Sequence, residues 1–228
     1  MVKYNLSHEK GRDKFQGYEG RNTEQMPKLI AEGRVPMNVS QLMQRRLEVR
    51  NDTEVKTAWM DNYFDTGDAV VYHPNGNIKI VLDSQTLREM TPESQRNGGA
   101  LVFGEDVYKA LEGEVFKKGN LGKVNDSMSK SDIKAHPVWK ALARDQELLN
   151  DYTDFIFAEG KERFGYDTAM GVYLSSCGGD KPEMRVWFVR RLDGRSDAGG
   201  WFVLGDDIGR LVGIAPEALD KGVSNIRL

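Results

Sequence analysis

The chain has few of the residue types that announce chemistry. One cysteine, Cys177, in 228 residues excludes an intramolecular disulfide and any multi-cysteine zinc site. Three histidines, His8, His73 and His136, are scattered, and none pair at the spacing by which one helix offers two imidazoles to a metal. No apolar run approaches the roughly 20 residues needed to cross a bilayer, and Met1–His8 carries no apolar core of signal-peptide length. The expectation is a cytoplasmic protein without membrane contact, and the lone thiol fits a reducing compartment. A formal charge of −3 lacks the broad cationic excess of proteins that hold nucleic acid over their whole surface. Only a local basic patch would serve. Motifs are missing as well. The basic loop Lys117–Lys123 has Lys117 where a phosphate-binding loop needs glycine and is followed by Val124 where it needs Ser or Thr. No G-x-S-x-G elbow occurs, and Cys177 has no histidine near it in sequence to activate it. The glycosylation-like triplets at Asn38, Asn51 and Asn125 read as chance matches in a chain without a secretion signal.

What is present is pattern. Arg185–Arg191 is rich in β-branched and aromatic residues, Trp201–Leu204 is continuously apolar, and the segment between them is small, polar and rich in glycine. Such a pair predicts a hairpin with a long loop. Gly171–Ser175 precedes it as a further strand, so that three successive strands form a C-terminal meander. Asp68–Asp83 predicts a second hairpin. Pro74 has no N–H for a closing pair, so Pro74-Asn75 form the centre of a type I turn, Gly76 takes the left-handed position, and His73 pairs with Asn77. That register puts Val70, Tyr72, Ile78, Ile80 and Leu82 on one face, with Val71, His73, Asn77 and Lys79 on the other.

Around these lie helical segments. Pro27–Gly33 predicts a short helix stopped by Gly33, and Asn38 or Ser40 caps another bearing Leu42, Met43 and Leu47. The alternation of Val55, Thr57 and Trp59 suits a strand. Ser84 or Thr86 starts a short helix through Met90, Ala100–Phe103 is a strand, and Glu105–Leu111 is a helix closed by Gly113. Ser131–Gly165 forms the helical centre, with Pro137 at a first helical position and Leu148, Leu149, Tyr152, Phe155 and Ile156 at helical spacing. Ala215–Leu219 makes a last short helix. Residues 1–25 read as a polar, aperiodic arm and 26–228 as a single α+β domain, with the only seam near 124–130. The expected architecture is an antiparallel sheet, including the meander, covered by the long amphipathic helical segment.

Two functional readings follow. Strand alternation puts Arg185, Trp187 and Arg191 on one face, with Arg195 at the adjoining turn. Arginines beside a tryptophan on an exposed face would track phosphates while a base stacks, or would hold a protein partner. This is a non-enzymatic binding module with no cofactor, a homo-oligomer if an exposed apolar face needs cover. The alternative is a metal-dependent phosphoester hydrolase. Alternating strand direction would gather Asp180, Glu183, Asp206 and Asp207 at one end of the meander, where oxygen ligands suit magnesium or manganese.

Overall fold

The computed structural model describes residues 14–216, so most of the expected helix at Ala215–Leu219 lies outside the described residues. The described residues open with β1 (Phe15–Glu19), α1 (Asn22–Ala31) and β2 (Val35–Pro36). Phe15–Glu19, inside the expected polar arm, pairs along its whole length with the strand at Arg210–Ile214. α2 (Val39–Glu48) starts as expected at Asn38. The Asn38 side chain accepts from the Gln41 N–H and the Gln41 side chain accepts from the Asn38 N–H, both at 2.9 Å.

α3 (Thr53–Met60) stands where alternation predicts a strand. Asp52 caps it by accepting from the Val55 N–H. The buried pair is Trp59 and Met60, neighbours that a strand would send to opposite faces. Next come β3 (Phe64–Tyr72) and β4 (Asn77–Val81), paired in the expected register with Tyr72 opposite Ile78. The His73 N–H donates to the Asn77 carbonyl, and Gly76 takes φ +86° at the turn. Leu82 lies past the strand and is exposed. α4 (Gln85–Arg88), capped by Ser84, β5 (Arg96–Asn97), β6 (Ala100–Val102), α5 (Glu105–Ala110) and β7 (Glu114–Lys117) follow.

The helical centre divides into α6 (Lys130–Ala135), α7 (Pro137–Ala143) and α8 (Gln146–Phe164). Pro137 is the first residue of α7, and Gly165 closes α8 in the left-handed conformation. The described residues end with β8 (Val172–Tyr173), β9 (Glu183–Val189), β10 (Ala198–Gly199) and β11 (Arg210–Ile214). Trp201–Leu204, expected as a strand, is irregular. β9 pairs antiparallel with β10, and β8 joins the far side of β10 in parallel. The spatial order β9-β10-β8 differs from a sequential meander. Near residues 124–130 the Asn125 N–H donates to the Val172 carbonyl and Met128 bridges Ala169.

Among the described residues the strands form one mixed, mostly antiparallel sheet in the order β1-β11-β3-β9-β10-β8. β3 switches neighbours at an irregularity between Asp65 and Ala69. Its first part lies beside β11 through Asp65, and its second pairs with β4. Both faces are covered. Val70, Tyr72, Trp187 and Val189 join residues of α2, α3, α7 and α8 in one core. Ala69, Val71, Met184, Val186 and Phe188 join α1, α4, Phe202 and Leu204 in the other. Among the described residues no helix is long and apolar enough to cross a membrane.

Candidate functional site

Between β9 and β11 the chain runs for twenty residues with only β10 in the sheet. Its backbone polar groups need partners, and buried side chains from elsewhere supply many of them. Arg46, fully buried on α2, donates to the carbonyls of Trp59, Asn62 and Arg190 at 2.9, 3.1 and 3.2 Å, and to Tyr152 Oη at 2.8 Å. Every one of these partners is neutral. Arg185 donates to the carbonyls of Gly98, Trp201 and Phe202. It fills the stretch of β9 between the part paired with β6 and the part paired with β10. Tyr166 Oη donates to the Leu192 carbonyl, Tyr72 Oη to the Gly200 carbonyl and Tyr63 Oη to the Ile208 carbonyl. The Asp197 carboxylate accepts from the Gly171 N–H at 2.7 Å, and burial pushes its pKa up to about 6.

This anchored segment forms one wall of a cleft of about 530 Å³. Arg191, Asp193, Asp207, Ile208, Gly209 and Arg210 line it, facing Glu19, Asp61, Asn62 and Tyr63. The volume falls within the range of small-ligand sites. Arg210 lies over the Tyr63 ring, with its guanidinium carbon 5.2 Å from the ring centre, and donates to Asn62 Oδ1. Its backbone N–H donates to the buried Asp65 carboxylate at 2.8 Å, which Asn22 Nδ2 also reaches at 3.1 Å. Burial pushes Asp65 up to about 7, against the pull of those hydrogen bonds and of Arg210. Gly209 has no room for a side chain. A Cβ there would sit 2.4 Å from the Gly20 carbonyl oxygen and 2.5 Å from Asn22 Oδ1.

The residues singled out from sequence are dispersed. Arg185 and Trp187 are buried, so the Arg/Trp face of β9 is interior and cannot stack a base. The reason lies in the chain after β9, whose carbonyls Arg185 binds. Arg191 does reach the cleft, exposed and paired with Asp193 at 2.6 Å. Arg195 instead turns to Ser127 Oγ and Thr168 Oγ1, at 3.0 and 3.1 Å. Of the carboxylates, Glu183 is buried against Asn97 Nδ2 and the Gly178 N–H. Asp180 and Asp206 are exposed, and Asp207 lines the cleft. Among the described residues no three His, Cys, Asp or Glu side chains come close enough to hold a metal ion. Tyr63, Asn62 and Arg210 are missing from the sequence reading. Nothing local marks them, because the cleft joins the end of α3, the start of β3 and the start of β11.

Cys177 and His73 share a smaller pocket of about 210 Å³. His73 Nε2 contacts Glu105 Oε2 at 2.8 Å, and His73 Nδ1 accepts from the Asn75 N–H at 3.1 Å. Both ring nitrogens are thus engaged, while burial raises the thiol's pKa. The pair lacks an activated nucleophile.

This architecture is similar to that of a solved structure with the C-type lectin fold. That structure, described as the accommodation of massive sequence variation in Nanoarchaeota by the C-type lectin fold, aligns with a TM-score of 0.65. The alignment covers 92% of this chain and 100% of the other, at 14% sequence identity, a level that shows the fold alone. No protein-family model and no curated protein matches the sequence.

Proposed function

We propose that the chain is a non-enzymatic binding module that recognises a protein partner through the cleft bounded by Tyr63 and the segment from Arg191 to Arg210. One observation carries the reading. The segment is held by its backbone and by buried side chains, whereas Arg191, Asp193, Asp207 and Ile208 point outward and support little of the fold. Side chains free of structural duty are available for recognition, and loops on a rigid scaffold commonly serve that role. The fold neighbour, described by its accommodation of sequence variation, is compatible with such a division of labour. A nucleic-acid partner fits less well, because Arg185 and Trp187 are interior and the cleft lining carries more carboxylates than guanidinium groups. Amide-shift mapping of the full chain against peptides selected from a random library tests the reading. Shifts concentrated at residues 61–63 and 191–210 support it; shifts elsewhere, or no selected binder, overturn it.

A further inference from the structure

Resting on that reading, we infer that the cleft takes a protein segment that presents a lysine or arginine beside an aliphatic residue. The lining holds four carboxylates, Glu19, Asp61, Asp193 and Asp207, against two guanidinium groups, Arg191 and Arg210. Both arginines are already engaged. Arg210 donates to Asn62, covers the Tyr63 ring and lies 3.8 Å from Glu19, and Arg191 holds Asp193. Neither offers a free charge to an anionic ligand.

Asp61 is likewise paired, with Arg163 at 2.7 Å. Asp207 differs. It is exposed and makes no hydrogen bond or ion pair among the described residues. Its neighbour Ile208 is 57% exposed, the most exposed of the large apolar side chains described. A free carboxylate beside a bare aliphatic side chain is complementary to a cation beside an aliphatic one. A bare metal ion would find too few ligands, and a polyamine would leave Ile208 in water.

The test uses the full 228-residue chain and two hexapeptide libraries of matched design. One pairs Lys or Arg with Leu, Ile or Val; the other replaces the basic residue by Asp or Glu. Calorimetry measures the best binder of each, with spermidine as a third probe. The expected result is selection from the basic library only, with affinity falling as salt rises. Asp207→Asn should weaken binding about tenfold, and Asp207→Lys more, as for loss of one charge pair at an interface. Ile208→Ser should weaken it severalfold. Unchanged melting temperatures in the three variants separate these losses from misfolding. Selection of acidic peptides whose shifts still map to the cleft would overturn this inference and leave the binding module standing. Tight binding of spermidine alone would also overturn it. If peptides from neither library shift cleft residues, the proposed function itself fails.

Discussion

Replacing Asp65 by asparagine should make folding stability less dependent on pH, in one direction only. Asp65 is fully buried, and burial carries its carboxyl from the ordinary 3.8 up to about 7. A folded pKa above the unfolded one means that the native state binds more protons across that interval. Stability contributed by the neutral carboxyl is therefore complete below about pH 4 and is lost as pH rises towards 7. Each tenfold change in proton affinity is about 1.4 kcal/mol, so the full loss is on the order of 4 kcal/mol. Between about pH 5 and 8 it is about 2–3 kcal/mol. The asparagine side chain would keep an acceptor for the Arg210 N–H. Its amide would also bring a donor to a site where Asp65 Oδ1 and Asn22 Oδ1 have no partner. Asp197, raised to about 6, tilts the pH profile the same way, whereas Asp83, held low by Arg144 and Asn38, tilts it the other way. The difference between wild type and Asp65→Asn cancels both. Urea unfolding of each protein at several pH values gives that difference, with the variant gaining on wild type as pH rises. Parallel curves would refute the reasoning.

Two more substitutions probe the anchoring. Arg46→Met leaves the carbonyls of Trp59, Asn62 and Arg190 without their donor and should cost more than about 3 kcal/mol in denaturant unfolding. Lysine should not rescue it, since one ammonium cannot span the same acceptors; hydrogen exchange should quicken first in residues 190–196. Gly209→Ala forces a Cβ against the Gly20 carbonyl and Asn22 and should cost about 1–3 kcal/mol, read as a lowered melting temperature.

Local signals were legible and distant ones were not. The turn at Pro74–Gly76, the Asn38 cap, Pro137 and Gly165 all act within a few residues of themselves, and each sits where the sequence places it. β1 reads as a loose arm because the strand that completes it, β11, lies near the other end of the chain. Val55–Trp59 alternates like a strand, yet the Asp52 cap and the adjacent burial of Trp59 and Met60 make it helical. Arg185 looks like a surface charge until the carbonyls of Gly98, Trp201 and Phe202 close on it. The same blindness hid the cleft. Of its lining, Arg191 and Asp207 stand among the residues picked from sequence, Arg191 for contact with a partner and Asp207 as a metal ligand.

The groups that hold the Arg191–Arg210 segment are separate from the groups it presents, and on that separation the proposed binding role depends. The direct measurement is the unfolding free energy and cleft binding of a single variant with Arg191, Asp193, Asp207 and Ile208 all changed to alanine. The expected result is stability within about 2 kcal/mol of wild type, as for exposed positions, with binding of the selected peptides abolished. Unfolding of the variant, or retained binding, would contradict it.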